Sequence, residues 1–438
     1  MPGYRNNIKM VLWLGRFLIL YLAVVQSKII FVNEVSRHGS RAPFGDYPEG
    51  VFPNGKQMLT ASGMRQHYLL GQQLRAMYVS ERDGDEKLLS KEYNPEEIYV
   101  KSTQMPRTIQ SAYSQLLGLY PRKTYLNQCD IQIEEKCPSL RSQSPFDEDI
   151  IYSDLAQMDY HPIPVHNEDG YLEEIVHIKS CNYIINSYMN RTLDFSYWKE
   201  EDDKYRKTGI YDKIAQAFNK SSKDIDIQTV FHLIDAILIE NFEGIPPRAN
   251  FTTEEINLLK GTQRPNYVLK LDYKGKALVA SRFLNPVLEA MKARIGLPYN
   301  KISIKNFEKA KFVYFSSHDL HMTMIISFLN VTNIEIDYIS FASVIIIELH
   351  QHEKESCYGL VDKTCFYVRI FFDNDQLKLN DCKSIDCTFK EFETFLKDKG
   401  YPPDMIDKEC TSEPVMYTRE EFDNGLSGYI TARKTNNS

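Results

Sequence analysis

The 438-residue sequence predicts an α/β fold in which a mostly parallel central sheet is flanked by helices and interrupted by a mostly helical insertion. Three observations carry that expectation. Short strand-like runs at 29–32, 97–102 and 312–315 each lead straight into a polar or charged turn. Stretches with apolar positions at helical spacing lie between them, the pattern of a sheet whose strands are joined by helices. Between 129 and 269 strand signals become sparse, and Tyr, Asp, Lys and Asn become frequent. The expected layout is a targeting segment over 1–27, a first core part over 28–128, an insertion over 129–269, and a second core part over 270–438. That last part ends in a hairpin and a polar tail.

Hydrophobic residues make up 43% of the chain and charged residues 25%, the balance of a soluble globular protein. A net charge of -7 argues against general nucleic-acid binding but leaves room for a local cationic pocket. Arg5 and Lys9 precede an apolar run from Phe17 to Val25, with Ala23 and Val25 small enough to precede cleavage near Gln26. Arg16 breaks the longer apolar run, so a cleaved signal is favoured over an uncleaved anchor. No later stretch has the length to span a bilayer, and the expected location is secreted or lysosomal. Sequons at Asn190, Asn219, Asn250, Asn330 and Asn436 fit that route, with glycosylation expected at the first four. So do the eight cysteines, an even number whose pairing the sequence leaves open.

The first strand runs into Arg37-His38-Gly39-Ser40-Arg41-Ala42-Pro43. Gly39 permits a tight turn and close approach of a ligand to the backbone. Arg37 and Arg41 are fixed cations whose planar forks match phosphate oxygens. An imidazole between them is placed to attack phosphorus. The bland alternative is a solvated turn, and the location at a strand end weighs against it. Next, Thr60 or Ser62 caps a helix with Met64, Tyr68, Leu69 and Leu74 on its apolar side. His67 in that helix reads as a structural residue. After the second strand, Pro106 opens a helix running to about Leu119, with Arg107 at its amino end, where an anion is favoured.

In the insertion, Val230–Ile239 reads as a buried helix and Glu173–Asn190 as another. His161, His166, His177 and His232 lack metal-site spacing, so no metal is expected. A long amphipathic helix over 271–295 follows, with Ala277, Val279, Phe283, Leu284, Val287, Leu288 and Met291 as its stripe. The third strand leads into His318-Asp319 and another helix to about Leu329; Asp319 alone could be only a helix cap. Two β-rich runs, 343–350 and 365–372, flank a turn that Cys357–Cys365 could staple, and a helix is expected over 389–396.

Residues 37–43 match in full the signature Arg-His-Gly-x-Arg-x-Pro, and the chain resembles the histidine acid phosphatase family, a branch of the histidine phosphatase superfamily. The helix after the motif, the Arg107 segment and the His-Asp pair after an apolar strand are similar to family features as well. Lys101 departs from the arginine usual at its position. The resemblance implies a phosphoglycerate mutase-like core, with the insertion as a cap that shapes the substrate pocket. It implies His38 as nucleophile, Asp319 as proton donor, and Arg37, Arg41, Arg107 and His318 as phosphate ligands, with no cofactor. It also implies Cys382–Cys387 and Cys137–Cys410, which leaves Cys129–Cys181.

The implied activity is hydrolysis of phosphate monoesters through a phosphohistidine, with prostatic and lysosomal acid phosphatases as the nearest pattern and broad specificity. A phytase or other inositol-phosphate phosphatase, a lysophosphatidate phosphatase, and a silent secreted binding domain stay open. Some family members are dimers, so a homodimer stays open too.

Overall fold

The computed structural model describes residues 27–121 apart from 46, 48–49 and 82–85; 162–167; 181–262 apart from 194 and 228; and 271–413 apart from 301–306, 354–356 and 358–361. Residues 1–26 of the targeting segment, Cys129, Cys137, His161, His177, the start of the helix expected at Glu173, and Asn436 lie outside them, while Ser27 already belongs to the first strand.

Strand β1 (Ser27–Arg37) is central. It pairs in parallel with β3 (Phe312–Ser317), which pairs in parallel with β2 (Ile98–Ser102). On its other side β1 pairs antiparallel with β4 (Val344–His352), and β4 with β5 (Phe366–Phe372). The short strands β6 (Asp375–Leu377) and β7 (Cys387–Thr388) both pair with β5, giving the order β2-β3-β1-β4-β5-β6 with β7 off that path. The sheet is therefore mixed, and its parallel half carries all three strand ends singled out in the sequence. Register aligns those ends: Arg37 lies opposite Ser317, and Ser102 opposite Ser316. His38 N donates to Ser317 O at 3.1 Å and Thr103 N to Ser316 O at 3.2 Å, so the first residues past the strands stay in step.

Alternation along the strands loads both faces, as a covered sheet requires. Val32, Val100, Phe312, Tyr314 and Ile346 pack on helices α1 (Ala61–Tyr78) and α2 (Pro106–Leu119) through Leu74 and Leu116. Phe31, Val35, Val313, Phe315, Ile345 and Ile347 share the opposite core with the long helix later in the chain. The strand is longer than its apolar run suggests. Asn33, Glu34 and Ser36 are buried within it, and each has a side-chain partner: Val313 O, Gln115 and Tyr314 respectively. Polar side chains that make hydrogen bonds are admissible in a central strand, although Asn33 Oδ1 has no donor among the described residues, and an apolar-run criterion stops short of them.

In the middle of the chain come α3 (Asn182–Leu193), α4 (Phe195–Arg206), α5 (Ile210–Ala217), α6 (Val230–Glu243) and α7 (Thr253–Gly261). Trp198, Tyr211, Ile214, Val230, Ile234 and Leu259 form a third core separate from the two on the sheet. A capping box at Thr252 and Glu255 starts α7. Helix α8 (Tyr273–Arg294) is capped by Asp272 and is buried on nearly every side, more than a one-stripe helix would be. Val279, Phe283, Leu284 and Val287 are each at most 3% exposed. Each such side chain contributes about 1.5–3 kcal/mol of burial. After β3 comes α9 (Asp319–Leu329), and after β7 come α10 (Phe389–Lys399) and α11 (Pro403–Cys410).

Disulfides join Cys357 to Cys365 and Cys382 to Cys387. The third, Cys181–Cys410, corrects two expectations. Helix α11 packs beside α3 and brings the two Cα atoms within 4.5 Å. A cysteine forms one disulfide, so neither Cys137–Cys410 nor Cys129–Cys181 stands. Among the described residues no helix is long and apolar enough to cross a membrane.

Candidate active site

The carboxyl ends of the three parallel strands open on one edge of the sheet, the edge at which α/β folds place ligands. Arg37 is the last residue of β1 and His38 the next; His318 and Asp319 follow β3; Arg107 is the second residue of α2, after the turn leaving β2. All six candidate residues, Arg37, His38, Arg41, Arg107, His318 and Asp319, line one cavity of about 110 Å³.

Backbone contacts fix the motif. A Cβ on Gly39 would lie 2.4 Å from Gly63 O, and one on Gly63 2.1 Å from Ser40 O. What the glycine at 39 admits is the start of α1, not a ligand. The helix cap at Thr60 completes the joint: Gly63 N donates to Thr60 Oγ1, and Thr60 N to Ser40 O at 3.0 Å.

His38 Nδ1 lies 2.8 Å from Gly39 O. A carbonyl accepts only, so Nδ1 carries the proton and Nε2 the lone pair. Burial, then the positive charges of Arg107 and Arg37, hold the imidazole pKa well below its ordinary value. Both effects favour the neutral, nucleophilic ring. His318 is depressed by burial and then by Arg107. Its Nδ1 lies 3.4 Å from Arg107 Nη2 and so accepts, while Nε2 meets Thr103 Oγ1 at 3.1 Å. In this arrangement His318 orients Arg107, and donation to an anion would require its protonation.

Each arginine has its own anchor. Arg37 Nη2 pairs with Asp319 Oδ2 at 2.8 Å, Nη1 donates to Ile339 O, and the guanidinium lies 4.2 Å from the Phe341 ring centroid. Arg41 makes a two-pronged pair with Asp235, Nη2–Oδ1 at 2.8 Å and Nη1–Oδ2 at 3.1 Å, and stacks on Phe44 at 4.3 Å. Arg107 Nη1 is 3.4 Å from Gln57 Oε1. Burial and then the neighbouring Arg41 push Arg107 down to about 10. The Nε atoms of Arg41 and Arg107 are buried with no acceptor among the described residues. Leaving such donors unmade costs about 1–3 kcal/mol each, so the cavity is shaped for an anion rich in acceptors. Asp319 opens α9, its Oδ1 accepting from Leu320 N at 2.9 Å.

The residue that sequence reasoning missed is Asp235. It stood as a lone carboxylate inside the apolar run Val230–Ile239, with Phe231, Ile234, Leu238 and Ile239 on its helical face, and that isolation was the available signal. His67 is structural as expected: it is buried, with Nδ1 3.0 Å from Gln115 Oε1 and Nε2 3.0 Å from Arg37 O. Among the described residues no cluster of His, Cys, Asp and Glu is arranged to hold a metal. His166 and His232 instead contact the rings of Tyr99 and Phe44.

Known proteins resemble this chain over most of its length. The model of the histidine phosphatase superfamily (branch 2) matches residues 48–373. Lysosomal acid phosphatase of Xenopus laevis is 47% identical over 96 residues, 21% of this chain and 21% of that protein. Testicular acid phosphatase of Mus musculus is 37% identical over 128 residues, 27% of this chain and 28% of that protein. The chain thus spans about a quarter of the length of these first relatives. Human lysosomal acid phosphatase is 25% identical over 394 residues, 86% of this chain and 78% of that protein. Among solved structures, the phytase from Citrobacter braakii aligns with a TM-score of 0.58 at 15% identity, over 87% of this chain and 99% of that one, a likeness of fold. On the family match, which spans most of the chain, this protein belongs to the histidine phosphatase superfamily, branch 2.

Proposed function

We propose that the protein is an acid phosphatase that hydrolyses phosphate monoesters through a phosphohistidine. The observation that carries this reading is the neutral His38, with Nε2 free to attack, in a cavity with three buried arginines of which two keep unsatisfied N–H donors. His38 Nε2 attacks phosphorus, the P–O bond to the alcohol breaks, and Asp319 gives its proton to the leaving oxygen. Arg37, Arg41 and Arg107 bind the three non-bridging oxygens, whose charge they match as the transition state forms. Asp319, now a carboxylate, takes a proton from water; the water oxygen attacks phosphorus, the N–P bond breaks, and inorganic phosphate leaves. His318, with Nδ1 facing Arg107, holds that guanidinium in place.

The acid role of Asp319 suits an acidic compartment, and we place the protein in the secretory or lysosomal route. Three disulfides and the exposed sequon residues Asn219, Asn250 and Asn330 support that assignment. The segment 129–269 is proposed to act as a cap, since α6 walls the cavity. The direct test is His38→Ala with p-nitrophenyl phosphate at about pH 5. Activity should vanish while the variant stays folded; retained activity would remove the proposal.

A further inference from the structure

We propose that Asp235 is a specificity-determining residue that selects singly phosphorylated substrates with apolar or aromatic alcohols and turns away polyphosphorylated ones. The inference rests on the phosphatase reading of the same cavity. Helix α6 presents Phe231, Ile234, Asp235, Leu238 and Ile239 to the cavity, one face at three- and four-residue spacing. Four of the five are apolar, and the exception is an acid. Phe44 and Phe341 extend the apolar lining. Among the described lining residues the fixed cations are Arg37, Arg41 and Arg107, the three that the phosphoryl group itself needs.

Asp235 lines the cavity at a fixed position. It takes both prongs of Arg41 and accepts from Phe44 N at 3.3 Å. One turn pair further along α6, Glu243 accepts from Ser40 Oγ, from Thr60 Oγ1 at 2.8 Å and from Ser62 Oγ at 2.9 Å. These contacts lock α6 to the motif loop and to the start of α1, so the carboxylate cannot swing away without breaking that joint.

Two consequences follow for recognition. With Asp319 protonated as the acid, three arginines against Asp235 carry a formal charge of two positive, which matches one phosphoryl dianion and leaves nothing over for a second. A second phosphate on the alcohol would meet the Asp235 carboxylate inside a poorly solvated cavity, where like charges repel strongly. A neutral ring or chain would meet Phe231, Leu238 and Phe44 instead.

The test compares kcat/KM for phenyl phosphate, fructose 1,6-bisphosphate and myo-inositol hexakisphosphate in the wild type and in Asp235→Asn. The wild type should prefer phenyl phosphate over the hexakisphosphate by at least about a hundredfold. Asp235→Asn should shift that ratio toward the polyphosphates by about tenfold or more, whatever it does to turnover as such. An unchanged ratio in the variant would overturn the role of Asp235. If the variant does not fold, the wild type still decides through inhibition: inorganic phosphate should compete with phenyl phosphate more strongly than the hexakisphosphate does. Equal or better wild-type turnover of the hexakisphosphate would overturn the selectivity and leave the phosphatase reading intact. Turnover of none of the three would overturn that reading, and the selectivity with it.

Discussion

Asp319 meets two demands at one oxygen pair. Oδ1 accepts from Leu320 N at the start of α9, and Oδ2 pairs with Arg37 at 2.8 Å, so the carboxyl is fixed past the end of β3 in the cavity that holds the nucleophile. An acid in that place matters most when the departing alkoxide is a strong base. Asp319→Asn should therefore lose roughly 10²–10⁴-fold with an alkyl phosphate and distinctly less with p-nitrophenyl phosphate. Equal losses in a leaving-group series would argue against proton donation. These residues were legible because each lies in a contiguous stretch of sequence next to its strand. Asp235 was not, since its partner Arg41 is 194 positions away and only the fold brings them together. The neutral, Arg-facing state of His318 was equally out of reach, because it depends on Thr103, just past β2, and Arg107, at the start of α2, meeting the ring.

Between elements, a buried chain of polar groups links the sheet to the motif. Glu34 on β1 accepts from Gln115 Nε2 at 2.7 and 2.8 Å, Gln115 on α2 meets His67 on α1, and His67 reaches the carbonyl of Arg37. Burial pushes Glu34 up to about 8 from an ordinary 4.5, the Gln115 hydrogen bond opposing it only in part. Burial likewise pushes His67 down to about 4. Between about pH 4.5 and pH 8 the folded protein keeps a proton on Glu34 that the unfolded chain releases. Its stabilising contribution is thus complete below that window and lost as pH rises through it, by about 5 kcal/mol at most. His67 acts with the opposite sign, since stability is lost as pH falls from 6.5 through about 4. Glu34→Gln mimics the protonated acid. Urea unfolding should show the variant losing little stability between about pH 5 and pH 8.5, where the wild type loses several kcal/mol. Parallel curves would contradict the assignment. The polar residues of this chain are the reason β1 extends past its apolar run: their partners sit on helices far along the sequence, and a local pattern cannot register them.

At the scale of the molecule, Cys181–Cys410 ties the start of the inserted helices to the last described helix across 229 residues. Closing so long a loop removes much freedom from the unfolded chain, and its loss should cost about 2–5 kcal/mol. Replacing both cysteines with serine should lower the thermal midpoint while leaving kcat on phenyl phosphate close to the wild-type value, as the bridge lies outside the cavity lining. A normal midpoint would show the pairing to be dispensable. The α/β class and the helix-flanked parallel strands were readable from periodicity, and the site from its strand ends. The antiparallel half of the sheet was less so, since β6 and β7 are two or three residues long and take their place only by pairing with β5. The central claim is that phosphate passes through His38. The measurement that tests it most directly is rapid quenching of the wild type during turnover of a ³²P-labelled aryl phosphate, with alkaline denaturation and peptide mapping. The account predicts label on the His38 peptide, chased by unlabelled substrate at the rate of turnover. Turnover with no label at His38, or label on another residue, would contradict it.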